Sequence, residues 1–180
     1  MDLSEINFAI LVASLIVAST PLVLAALGEL IAEKSGVLNL GVEGMMIIGA
    51  VSGFIVGVET GSAYVGIIAA AVAGALLSLL FSFIILIMQA NQVASGLALT
   101  IFGLGIAALM GHPYTGIKSP QISTISIPIL NEIPILGTMF FQHDLIVYLS
   151  LISVLTVWYF LTRTRAGLIL RSVGEDHNVA

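Results

Sequence analysis

Long apolar runs separated by short polar intervals dominate the chain. The runs are Ile6–Leu27, Val42–Val58, Ala63–Met88, Val93–Met110 and Leu145–Leu161. A helix needs about 20 mostly apolar residues to cross a bilayer core. Val42–Val58 is shorter than the first run and is entered through Glu43 and Gly44. Ala63–Met88 carries no charge and is long enough to tilt. None of the runs has the ~10-residue apolar/polar alternation of a membrane β-barrel strand. Each is therefore expected to be a helix, whose backbone hydrogen bonds close within the segment. Pro21 is expected to kink the first. The expected fold is all-α and integral to the membrane, a bundle of about five transmembrane helices forming one domain over residues 1–180, with 162–180 as a polar tail.

Composition removes the soluble alternatives. Charged residues make up 8% of the 180 positions, hydrophobic residues 59%, and mean hydropathy is +1.17. A soluble domain carries about 25% charged residues. The net charge of −5 sits in short intervals, and no basic patch points to nucleic acid. Cysteine is absent, so no disulfide or thiol chemistry is expected. The acidic start "MDLSEIN" lacks the positive region of a signal peptide, so the first run reads as a true span.

Three of the five Lys/Arg residues, Arg163, Arg165 and Arg171, follow the last run. The positive-inside bias makes that end cytoplasmic and the N-terminus external. Residues 28–41 and 89–92 then lie inside, and 59–62 and 111–144 outside, with Lys118 the one exception to the bias. The outer interval 112–137 holds four of the five prolines, which rule out a continuous helix. Alternation in "ISTISIPI" predicts a short extended piece there.

Three stretches could carry chemistry. The first, Ala26–Ala50, clusters Glu29, Glu33, Lys34, Asn39 and Glu43 among five glycines. A glycine-rich break between spans is tolerated beside protein or a water-filled cavity, and such breaks build transporter solute sites. The bland reading is a solvated cytoplasmic loop. The second, Gln89–Gly105, offers Asn91, Gln92, Ser95 and Thr100 at the start of a span, with Ala94, Gly96, Ala98, Gly103 and Gly105 for close packing. It reads either as a pore-lining helix for an uncharged polar solute or as helix–helix glue. Ser95 with His112 does not make a protease pair, since the two stand at opposite ends of the fourth run and a nucleophile must touch its base. His143-Asp144 marks a span boundary rather than a metal site. Trp158 and Tyr159 fit an aromatic belt.

The third stretch is the tail. Ala166–Val173 is expected to be a short helix ended by Gly174 as its C′ residue. Glu175-Asp176 is expected to start a second helix, suited to docking a soluble partner.

These segments, in this order, resemble the permease subunits of ABC importers of the branched-chain amino acid, ribose and simple-sugar type, nearest to the nucleoside and simple-sugar branch. The similarity runs through "EKSGVLNLGVEGMMIIGA", "NQVASGLALTIFGLG", "ISIPILNEIPILG" with "HDLIVYLSL", and "TRAGLILRSVGEDHNVA". It implies the membrane-spanning, N-terminal part of an ATP-driven importer with no catalytic residues, no metal and no cofactor of its own. The implied partners are a separate ATPase subunit, a second permease of similar fold, a solute-binding lipoprotein and the lipid membrane. Arg165, Gly167, Gly174 and Glu175 match the family's ATPase-coupling stretch. Asp176-His177 departs from the usual Asn-Pro, and Val179 stands in place of one Ala of a pair. The solute-path candidates are Asn39, Glu43, Asn91, Gln92 and Ser95. The resemblance also implies that the chain stops inside the coupling helix, as a partial permease expected not to transport alone. Other readings are a branched-chain amino acid permease, a passive channel or facilitator, and a structural membrane subunit.

Overall fold

The computed structural model describes residues 8–122, 124–126 and 140–175. They fall into two compact units, one of Ala32–Ile122 and one of the residues up to Ile31 together with those from Ser123 on.

The helices are α1 (Phe8–Lys34), α2 (Val42–Thr60), α3 (Ala63–Ser82), α4 (Gln92–Gly111), α5 (Leu145–Arg163) and α6 (Arg165–Glu175). A π-helical turn, Phe83–Ile87, continues α3, and a 3-10 turn, His112–Tyr114, continues α4. Among the described residues five helices are long and apolar enough to cross a membrane, ending with Leu145–Arg163. Their surfaces agree with lipid as solvent. Leu109 is 78% exposed, Ile101 71% and Ile87 70%, a display of large apolar side chains that water would not support.

One expectation about the first span needs correction. α1 runs through Pro21 and Gly28 to Lys34, well past Leu27. Pro21 removes one backbone donor, but helix is still the state that pairs the rest in an apolar medium. Gly28 keeps helical geometry and does not break the segment. The real stop is Gly36, at φ 84. Its N–H donates to the Glu33 carbonyl at 3.0 Å, and the Val37 N–H donates to Ala32 at 3.1 Å. This is a Schellman turn, which needs a left-handed residue where glycine now stands.

The unit Ala32–Ile122 is built on glycine. α2 and α3 run antiparallel, joined through Gly61 at φ 67. A Cβ added at Gly53 would stand 2.8 Å from the Gly66 carbonyl oxygen, and one at Gly66 would stand 3.1 Å from the Gly57 Cα. α4 runs parallel to α2 on another side, where a Cβ at Gly103 would lie 2.8 Å from the Gly44 Cα. Backbones this close gain dispersion contacts that lipid cannot match. Met45, Ile48, Leu77, Phe81, Ile85 and Leu99 form the buried core between these helices.

In the other unit, β1 (Thr124–Ser126) pairs antiparallel with β2 (Gln142–Asp144), Thr124 opposite Asp144. The extended piece expected in "ISTISIPI" is thus present at Thr124–Ser126; the rest of that stretch lies outside the described residues. His143 is buried, with its ring 6.4 Å from that of Tyr148 in an edge-on arrangement. Trp158 and Tyr159 are exposed near the end of α5.

The tail brings a second correction. α6 passes through Gly174 to Glu175, so Gly174 does not end it. Gly167, Leu170, Arg171 and Gly174 recur at helical spacing, and Gly174 stays right-handed because it continues that face. The second helix expected from Asp176 lies outside the described residues.

Candidate functional site

Polar groups gather where the turn after α1 meets the start of α4. Residues 37–41 are not helical, so their backbone needs partners from elsewhere. Gln92 Oε1 accepts from the Leu38 N–H at 2.8 Å, and Thr100 Oγ1 donates to the Leu40 carbonyl at 3.0 Å. Asn39 Oδ1 accepts from the Gly41 N–H at 3.0 Å, closing an Asx turn, and its Nδ2 lies 3.6 Å from Met45 Sδ. Gly96 lets this backbone approach: a Cβ there would stand 2.9 Å from Gly41 N.

The sequence-derived candidates divide here. Asn39 and Gln92 are brought together. Asn91 caps α4, its Oδ1 accepting from the Ala94 N–H at 3.0 Å. Ser95 is half-buried on the first turn of α4, and Glu43 is exposed on the first turn of α2. Thr100 completes the junction; a hydroxyl facing a glycine-broken turn is the signal that marks it. Tyr114 Oη donates to Glu59 Oε1 at 2.7 Å, tying the far end of α2 to the turn after α4. Beside it, Gly53, Gly57, Gly66 and Ala70 line a groove of about 200 Å³ covered by Ser119, Pro120 and Ile122. The spacing Gly49, Gly53, Gly57 announces this seam in the sequence.

The coupling candidates sit on α6. Thr164, extended at φ −103, separates α5 from α6. Its hydroxyl donates to the Phe160 carbonyl at 2.6 Å and accepts from the Gly167 N–H at 3.0 Å. Thr164 therefore satisfies the end of one helix and the start of the next. It is a polar cap residue between two arginines, a legible sign that sequence reasoning passed over. Gly167 is buried, and a Cβ there would overlap the Phe160 carbonyl oxygen. Arg165 and Glu175 are exposed, as are Leu168 at 59% and Ile169 at 62%. α6 thus has one face fixed on α5 and another, partly apolar, turned outward.

Together these features define a class, a polytopic helical membrane protein with a polar junction between spans and an amphipathic helix after the last described span. The chain belongs to the family of the branched-chain amino acid transport system permease component, which it matches over residues 11–180. It is 39% identical over 167 residues to an ABC transporter permease protein of Haloferax volcanii named for glucose, covering 91% of this chain and 51% of that protein. A guanosine ABC transporter permease protein of Bacillus subtilis is 37% identical, covering 97% of this chain and 58% of its own length. A nucleoside ABC transporter permease protein of Lactococcus lactis is 34% identical, with 95% and 57% covered. The chain thus spans about half the length of the curated relatives it matches. No solved structure matches it.

Proposed function

We propose that this chain forms part of the membrane path of a permease subunit in an ATP-driven importer, with a nucleoside or a simple sugar as solute. The observation that carries this reading is the set of relatives: three ABC permeases, named for glucose, guanosine and nucleosides, each aligned with more than nine-tenths of the chain. The junction of residues 37–41 with α4, framed by Asn39, Glu43, Asn91, Gln92 and Ser95, is the proposed solute path. Amide and hydroxyl groups suit an uncharged polar solute, whose hydroxyls and ring nitrogens need partners once water is shed. The outward face of α6, with Arg165 and Glu175 near its ends, is the proposed seat of the ATPase subunit. Gly167 and Gly174 belong to the opposite face, where Gly167 packs on the end of α5. A second permease of similar fold and a solute-binding lipoprotein complete the assembly. Arg163, Arg165 and Arg171 after the last described span support a cytoplasmic C-terminal end and an external N-terminus.

Uptake into proteoliposomes tests this. The vesicles hold the permease that contains these residues with its ATPase, second permease and solute-binding protein. ATP-dependent entry of labelled guanosine, blocked by unlabelled nucleoside, or ATP-dependent entry of labelled glucose, is the expected result. ATP-independent equilibration identifies a facilitator and overturns the import reading. ATP-driven entry of leucine alone moves the chain to the branched-chain amino acid branch.

A further inference from the structure

Two hydrogen bonds at the polar junction join side chains of α4 to distant backbone, unlike the Ser and Thr bonds within the helices. Ser and Thr hydroxyls within the helices fold back on their own backbone: Thr20 donates to Ile16, Thr60 to Val56, Thr156 to Ile152 and Thr162 to Trp158. This is the local habit of such residues in an apolar medium. Thr100 departs from it and reaches Leu40, sixty positions away in the chain. Gln92 likewise reaches Leu38.

The two share one stripe of α4. Gln92, Gly96, Leu99/Thr100 and Gly103 recur at three- and four-residue spacing, so they lie on one helix face. Glycines bring the facing backbone close, since Cβ atoms at Gly96 and Gly103 would stand 2.9 Å and 2.8 Å from the backbone at Gly41 and Gly44. The polar side chains then bond what has been brought near. Leu38 and Leu40 are two residues apart on non-helical chain, and each offers one backbone group to α4. Leu38 gives its N–H and Leu40 its carbonyl, so Gln92 and Thr100 pair backbone groups that no helix ladder pairs here. Asn39 lies between the two anchored residues.

We infer that Gln92 and Thr100 are positioning residues, which fasten segment 37–41 to α4 and so fix the placement of Asn39 in the solute path without touching solute. The functional half of this inference rests on the import reading; the fastening belongs to the chain itself.

The test pairs amide exchange with uptake, in the complete importer. Gln92→Met and Thr100→Val remove the acceptor and the donor at nearly constant volume. Gln92→Glu and Thr100→Ser keep them. Exchange at the Leu38 amide is expected to speed up about threefold to tenfold in Gln92→Met, the worth of one such bond, and to stay slow in Gln92→Glu. Both Gln92→Met and Thr100→Val should raise the KM for solute while leaving kcat near its starting value. A purely structural role would instead lower the amount of assembled protein and leave KM alone. Because both bonds hold one segment, the double variant should be no worse than the more severe single one. Thr100→Val decides the matter where Gln92→Met fails to assemble. A raised KM in Gln92→Met with Leu38 exchange unchanged means that Gln92 touches solute, and overturns the inference. So do faster exchange with unchanged KM and additive effects in the double variant. Wild-type protein that takes up no solute refutes the import reading and the positioning role with it, while exchange at Leu38 still decides the fastening.

Discussion

The glycines of α4 and the glycines of α6 do different work. At Gly103 the neighbouring atoms are the Gly44 backbone, so two helices along the Ala32–Ile122 unit touch main chain to main chain. At Gly167 the neighbour is the Phe160 carbonyl at the end of the preceding helix, and the contact sets how one short helix leaves another. The first kind of contact is repeated, at Gly41 with Gly96, Gly44 with Gly103, and Gly53 with Gly66. The second stands beside a single cap residue, Thr164. Repeated backbone contact holds three helices as a body in a solvent that offers no hydrophobic drive. A cap and one glycine hold a short helix against the end of the span before it.

The largest effect is expected where the repeated contact is broken. Gly103→Ala places a methyl group 2.8 Å from the Gly44 backbone, which cannot swing aside. It should destabilise the Ala32–Ile122 unit by about 3 kcal/mol, at the upper end of overpacking costs. Gly105→Ala, two positions on with nothing within 4 Å, should leave stability unchanged or raise it by about 0.5 kcal/mol through helix propensity. Unfolding of the two variants in graded detergent separates them; equal behaviour would mean that the seam does not hold the helices.

Gly167→Ala comes next. Its methyl group collides with the end of α5, so α6 should detach while the spans stay folded. Amide exchange across 165–175 should quicken with the denaturation midpoint of the spans unchanged. A midpoint shift as large as that of Gly103→Ala would erase the contrast between the two regions. Thr164→Ala should act in the same direction and more weakly, by about 1 kcal/mol for a lost N-cap, read as partial exchange over the same residues.

Much of this architecture was legible in the sequence because the bilayer narrows the choices. A long apolar run can only be a helix there, and five runs gave five helices. Element ends were harder. The apolar run stops at Leu27 before Gly28, yet α1 continues to Lys34, since the helix pairs backbone groups that a break would leave unpaired. Gly174 misled for a related reason. A glycine near a helix end usually caps it, but here the helix runs on through Gly174 to Glu175. The two polar stretches that meet at the junction were each visible, one with Asn39 and the other with Asn91 and Gln92. Its geometry was not, since the partners of Gln92 and Thr100 are backbone groups of Leu38 and Leu40, whose side chains carry no sign of the bond. Thr164 could have been read, as a cap residue one position before a helix.

Labelling from either side of the membrane tests the functional account most directly. The chain has no cysteine, so single cysteines at Thr60, at the end of α2, and at Ser172, on the outward face of α6, can be introduced into the permease. In intact cells a membrane-impermeant maleimide should label position 60 and spare position 172. A permeant reagent should label 172, and co-expression of the ATPase subunit should protect it. Labelling of position 172 from outside, or no protection by the ATPase, would contradict the assignment of α6 as the cytoplasmic face of an importer.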